Sequence, residues 1–87
     1  MSVNDKWLLY VVRCADDTLY TGVTTDLERR LQEHNTSSRG SKYTRTRRPV
    51  VVVYSEAHVD RSSAQKAEHQ FKKMAKAMKE KVISESR

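Results

Sequence analysis

At 87 residues and 10.1 kDa the chain has the size of one small domain, 1–87 with an ordered core over about 7–83, which excludes a second independent core. An apolar fraction of 37% promises a thin core, and 17 Lys and Arg against 11 Asp and Glu, a net charge of +6, point to a polyanionic partner: nucleic acid or an anionic membrane surface. No apolar run approaches the roughly 20 residues that cross a bilayer, Met1–Lys6 lacks the basic-then-apolar pattern of a secretory signal, and the lone Cys14 excludes an internal disulfide or a cysteine zinc site, so a soluble, cytoplasmic protein is expected.

The first element is a strand, Trp7–Cys14, rich in aromatic and β-branched residues and too short for a helix, and Thr18–Thr24 has the same character. Ala15-Asp16-Asp17 supplies turn chemistry between them, which predicts a hairpin. Two registers are open. A two-residue turn at Asp16-Asp17 pairs Arg13 with Tyr20 and puts Tyr10 and Tyr20 on opposite faces. A three-residue bulged turn pairs Cys14 with Tyr20, places Gly22 opposite Val12 and puts the two tyrosines on one face. Only the second lets them share a site. A tyrosine in a strand is more often core with its hydroxyl aimed at water or a backbone partner. Gly22 marks either a bulge or a place where another group approaches closely.

Thr25-Asp26-Leu27-Glu28 fits a capping box, so a helix starts near Asp26, buries a stripe through Leu27 and Leu31 and fades by Asn35. At 100° per residue Arg29 points about 180° from that stripe and reads as a solvated charge, whereas Arg30 lies about 80° away, against the domain, where a fixed guanidinium can grip a phosphate. His34, one turn on, lines the same groove; taken alone, such a histidine more often packs or ends a helix. A polar linker, Thr36–Ser41, and the basic run that follows form one long loop. Within it Arg39, Lys42, Tyr43, Arg45, Arg47 and Arg48 put five cations around an aromatic, a composition that suits contact with a nucleic-acid backbone as well as a merely solvated face.

Val50–Tyr54 is continuously apolar and reads as the central strand, covered on both faces. Ser62-Ser63-Ala64-Gln65 is a second capping box, opening a helix with the core stripe Ala64, Ala67, Phe71, Met74, Ala75 and Met78, a break near Ala75 and a last turn around Val82 and Ile83 before Ser84–Arg87 frays. Glu68 lies about 60° from that stripe. It is either half of an i,i+4 pair with Lys72 or the one carboxylate that a hard cation such as Mg²⁺ needs beside a phosphate. The order β-β-α-β-α, with room for a short last helix, gives an α+β fold: a small three-stranded antiparallel sheet flanked by helices.

Leu8-Leu9-Tyr10, Tyr20-Thr21-Gly22, the run from Thr24 to Asn35, Lys42-Tyr43-Thr44 with Arg47-Arg48-Pro49, Val53-Tyr54-Ser55-Glu56, and Asp60-Arg61-Ser62 through Glu68 to Lys72-Lys73 together resemble the GIY-YIG nuclease superfamily, above all its small stand-alone bacterial members, the UPF0213-like group. The resemblance covers residues 7–83. It implies an endonuclease that hydrolyses DNA phosphodiesters with one divalent cation, Mg²⁺ or Mn²⁺, in repair or recombination. Tyr10, Tyr20, Arg30, His34 and Glu68 stand at the catalytic positions and Glu68 at the metal-binding one. Tyr10 would then position or deprotonate the attacking water with Tyr20 assisting, its phenol lowered by Arg30 and the metal, while His34 relays or orients a proton. Leu8-Leu9 replaces the family's Gly-Ile, Val23 stands where some repair-type members carry lysine, and Ala75 replaces a hydroxyl that would cap the last helix. With no appended DNA-binding domain, a protein partner would have to supply specificity. The competing expectations are a nucleic-acid-binding module with a weak or vestigial site, and an adaptor whose basic face docks a protein.

Overall fold

A computed structural model describes residues 6–86, so the reading of Met1–Asp5 as free of a signal and of Arg87 as frayed lies outside the described residues. Seven elements follow one another: β1 (Trp7–Arg13), β2 (Leu19–Thr24), α1 (Leu27–Thr36), α2 (Lys42–Arg45), β3 (Val51–His58), α3 (Arg61–Lys73) and α4 (Lys76–Glu85). The strands form one antiparallel sheet in the order β2-β1-β3. The α+β architecture is the expected one, including a last helix, which runs to ten residues, with one addition: a four-residue helix inside the basic loop. Among the described residues no helix is long and apolar enough to cross a membrane.

The central strand is β1, not the valine run. Leu9, Tyr10, Val11 and Val12 are all buried, and their alternation feeds both faces of the sheet. Leu9 and Val11 pack with Phe71 and Ile83 beneath α3 and α4; Tyr10 and Val12 pack with Cys14 and Val50 beneath α1, whose Leu27 and Leu31 close that layer. The valine run lies in β3, at the sheet edge, where Val51 is 56% exposed. Its unbroken apolarity has another cause: β1 pairs Val11 with Tyr54 and Val12 with Val52, so Val53 is an extra residue in a bulge. Val53 and Tyr54 therefore both serve the α3/α4 layer while Val50 and Val52 serve the α1 layer.

The helix starts differ from the expected capping boxes. Asp26, not Thr25, caps α1 by accepting from the Arg29 amide, and Asp60, two residues before Ser62, caps α3 by accepting from the Ser63 amide. The break near Ala75 is present: Met74 ends α3 in extended backbone, and Ala75 starts α4 without a side-chain cap. The break rotates the stripe, leaving Ala75 and Met78 exposed while Ile83 is buried, and α4 continues through Ser84 to Glu85. An Arg13 guanidinium bonded to both Glu80 carboxylate oxygens, at 2.7 and 2.6 Å, ties α4 to the hairpin, and Lys76 reaches the Asp17 carbonyl at 2.8 Å.

Two side chains lock the end of α1 to the start of β3. Asn35 donates to the Val50 carbonyl at 3.0 Å and accepts from the Val50 amide at 2.7 Å. Arg48 donates to the carbonyls of His34 and Ser37, which satisfies the open C-terminal end of the helix. Together they fix His34 relative to the sheet.

Candidate active site

Both expected hairpin registers need correction. Cys14 and Thr18 close a three-residue turn in which Asp17 takes the left-handed conformation, φ 70°, that aspartate tolerates. Counting from that closure, Tyr20 pairs with Val12 and Gly22 with Tyr10. This register preserves the parity of the bulged one, so Tyr10 and Tyr20 share a face, but it slides the partners by two residues and sets Gly22 under Tyr10 itself. A Cβ on Gly22 would lie 2.5 Å from the Tyr10 hydroxyl and 2.7 Å from its Cζ. The glycine lets the Tyr10 ring cross β2 toward the sheet edge. Gly22→Ala is therefore expected to swing the ring away, break its bond to His34 and cost about 1–3 kcal/mol, measured by denaturant unfolding and by loss of the native Tyr10 ring resonances.

His34 is fully buried between strand and loop. Its Nε2 lies 2.7 Å from the Tyr10 hydroxyl, its Nδ1 lies 3.0 Å from the hydroxyl of buried Thr44, and the Ser41 amide donates to Nδ1 at 3.4 Å. Tyr20 packs edge-on to the same imidazole, 5.3 Å between centroids, and stacks on Tyr43 at 5.9 Å. Arg30 Nη1 bonds Glu33 at 2.9 Å and the Arg39 carbonyl at 2.9 Å, so α1 and the basic loop hold the guanidinium beside Tyr10. Tyr10, Tyr20, Arg30 and His34 thus converge. Glu68 approaches from α3, near enough for its charge to act on Tyr10, but one of its oxygens also pairs with Lys72 at 3.1 Å. The i,i+4 pair and the proximity to the tyrosine are both present.

The basic run is not uniform. Arg48 is engaged by the end of α1, and Arg47 bonds Asp16 and the Tyr43 carbonyl while lying 4.0 Å over the Tyr43 ring. Tyr43, 38% exposed, is thereby a strut between Tyr20 and Arg47. Arg39, Lys42 and Arg45 remain at the surface, Arg45 within 3.4 Å of the Ser38 carbonyl. Gly40, Asn35 and Thr44 were not among the sequence candidates, yet each shapes the site. A Cβ on Gly40 would meet the Glu33 carbonyl at 2.7 Å and the His34 Cα at 2.8 Å, so this glycine lets the loop lie against α1.

The electrostatics oppose one expectation. Burial pushes the Tyr10 phenol up to about 12; Arg30 pulls it down as foreseen, but not enough, and Tyr20 and Glu68 push it further up. Burial works against the Arg30 charge, but interaction with Glu33 and Tyr10 outweighs it and raises its pKa. Burial, helped by the positive charges of Arg30 and Arg48, lowers His34 to about 4, so the imidazole is neutral at neutral pH. An unfolded histidine titrates near 6.5. Between about pH 6.5 and 4 the unfolded chain takes up a proton that the folded one refuses, so His34's contribution is intact above that window and is lost as pH falls through it. A stability loss of about 2 kcal/mol is expected between pH 7.5 and 5, measured by denaturant unfolding at both pH values and flattened in His34→Gln.

Three surface cavities of about 460, 470 and 310 Å³ lie along the outer faces of α1 and α3 and at the end of β3; none is lined by Tyr10, Tyr20, Arg30 or Glu68. Tyr10 and His34 are buried at the site, and Tyr20 and Arg30 beside them are half-buried. Residues 6–81 match the family model described as the GIY-YIG catalytic domain. A UPF0213 protein of Desulfotalea psychrophila is 49% identical over 80 residues, covering 92% of this chain and 73% of that protein. Two solution NMR structures are similar: a protein of E. faecalis, 43% identical with a TM-score of 0.65 over 97% of this chain and 88% of that one, and a UPF0213 protein of Bacillus halodurans, 35% identical with a TM-score of 0.58 over 91% and 83%.

Proposed function

Because the chain belongs to the GIY-YIG family, we propose that it is an endonuclease that hydrolyses DNA phosphodiesters with one divalent cation, Mg²⁺ or Mn²⁺. The observation that carries this reading is the convergence of Tyr10, Tyr20, Arg30 and His34 at the β2 edge with Glu68 in electrostatic reach. Among the described residues no group of three or more His, Cys, Asp or Glu is placed to hold a metal. A zinc site of several protein ligands does not fit that donor set, whereas a hard cation that keeps most of its water and takes phosphate oxygens needs little beyond Glu68. When bound, the cation would supply charge neutralisation at the phosphoryl group and the leaving oxygen.

The chain's own residues do the rest. Arg30, held by Glu33 and the Arg39 carbonyl, presents its remaining donors to a phosphate and stabilises the charge that develops there. Tyr10 is protonated at rest and orients the attacking water; it takes the water's proton only in its phenolate form, which Arg30 favours. His34, neutral and buried, holds the Tyr10 oxygen in place. Arg39, Lys42 and Arg45 follow the nucleic-acid backbone, giving affinity that weakens with salt. A protein partner supplies target choice, and a cytoplasmic role in repair or recombination follows from this reading.

The test is incubation of the purified protein with single-stranded, duplex and branched DNA, and with RNA, with Mg²⁺, Mn²⁺ or a chelator. Cation-dependent internal cleavage of DNA supports the proposal; no cleavage of any substrate overturns it. The Glu68–Lys72 pair and the high Tyr10 pKa favour one second reading, a nucleic-acid-binding module with a vestigial site. That reading predicts salt-sensitive binding without cleavage.

A further inference from the structure

Thr44 is a fully buried hydroxyl in the single turn of the basic loop's short helix, beside a histidine rather than facing the surface. The Ser41 amide can only donate, and it points at His34 Nδ1, so that nitrogen carries a lone pair. The hydroxyls extend the same direction. Ser41 Oγ accepts from the Thr44 amide at 3.1 Å and lies 3.1 Å from Thr44 Oγ1, which lies 3.0 Å from Nδ1. Thr44 Oγ1 has two acceptors in reach, Nδ1 at 3.0 Å and the Ser41 carbonyl at 3.2 Å. With its proton on the nearer one the donors run Ser41 to Thr44 to Nδ1, in keeping with the Ser41 amide, which leaves the imidazole proton on Nε2, 2.7 Å from the Tyr10 oxygen.

We propose that Thr44 is a positioning residue: its hydroxyl, held by Ser41, fixes His34 as the Nε2–H tautomer that donates to Tyr10. The Tyr10 oxygen is then an acceptor toward His34, and its own proton points away from the imidazole. Because Ser41 and Thr44 belong to the segment that also carries Lys42, Tyr43 and Arg45, the hydroxyl pair links the nucleic-acid-contacting loop to Tyr10. The catalytic meaning of this link rests on the nuclease reading; the tautomer itself does not.

The tautomer is read by two-bond proton–nitrogen correlation of the imidazole in the ¹⁵N-labelled full chain at neutral pH. The wild type is expected to show Nδ1 unprotonated and Nε2 protonated. Thr44→Val is expected to shift both ring nitrogens toward the averaged values of mixed tautomers, and Thr44→Ser to restore the wild-type pattern. In a cleavage assay Thr44→Val is expected to lose about 10-fold in kcat with little change in KM, the worth of one hydrogen bond. A protonated Nδ1 in the wild type overturns the proposal, as do unchanged ring nitrogens in Thr44→Val. Should Thr44→Val fail to fold, Ser41→Ala, which removes the outer hydroxyl, is expected to move the same resonances in the same direction, and no movement there is equally fatal. The expected tautomer in a wild type that cuts nothing counts against the nuclease reading and leaves the positioning role standing.

Discussion

Glu68→Ala is expected to abolish cation-dependent cleavage, a loss of at least about 10³-fold in kcat, while leaving the folded protein almost unchanged. The asymmetry follows from its surroundings. Among the described residues the carboxylate pairs with Lys72 in an i,i+4 contact, a surface pair worth about 0.3–0.5 kcal/mol. No group of three or more His, Cys, Asp or Glu is placed to share a cation, among the described residues. Glu68→Gln, of equal size and without charge, should fail as completely as alanine. Thermal unfolding and single-turnover cleavage across a Mn²⁺ titration separate the two quantities. Cleavage that persists in Glu68→Gln at wild-type rate would remove the cation from the proposed chemistry.

Tyr10→Phe is expected to reduce kcat by about 10²–10⁴-fold and, unlike the change at Glu68, to weaken the fold as well. The hydroxyl it removes is the partner of His34 Nε2, and both groups are buried, so a ring nitrogen is left without its hydrogen bond at a cost of about 1–3 kcal/mol. Tyr20→Phe keeps the ring packing against His34 and Tyr43 and should cost less in both respects. Because burial holds the Tyr10 phenol near 12, wild-type cleavage should also rise with pH across the neutral range as the phenolate becomes accessible. Cleavage by Tyr10→Phe at the wild-type rate, in protein whose unfolding curve shows it to be native, would show that this hydroxyl plays no part.

Helical phase was enough to separate half-buried Arg30, held by Glu33 and the Arg39 carbonyl, from exposed Arg29, because that choice depends on local periodicity that the packing preserves. Whether Tyr10 and Tyr20 share a face depended on a hairpin register that residue type left open. Glu68 carried two readings: the pair with Lys72 is present, and the charge of the same carboxylate also reaches Tyr10, since a side chain at the rim of a stripe can face a lysine while its field extends to the site. What the sequence hid was non-local. The valine run has the composition of a central strand, but a bulge at Val53 lets an edge strand feed two layers. The basic loop reads as a charge run, but Arg47 and Arg48 are held by Asp16, Tyr43 and the end of α1, partners that no spacing rule brings together. Gly40 offered a signal of close approach equal to that of Gly22, and Thr44 stood within the Lys42-Tyr43-Thr44 segment of the resemblance, but its residue type alone gave no sign of a buried hydroxyl on His34.

The guanidinium–carboxylate contact between Arg13 and Glu80 joins positions 67 residues apart. Closing so long a loop sacrifices chain entropy, and α4 has nothing to dock on until the Leu9/Val11 layer and α3 are assembled. A contact of that kind is expected to form beyond the folding barrier, and so to govern escape from the native state more than arrival in it. The lifetime of the assembled site therefore depends on a ten-residue C-terminal helix that supplies none of its chemistry: Glu80→Gln should speed unfolding and leave the refolding rate nearly unchanged.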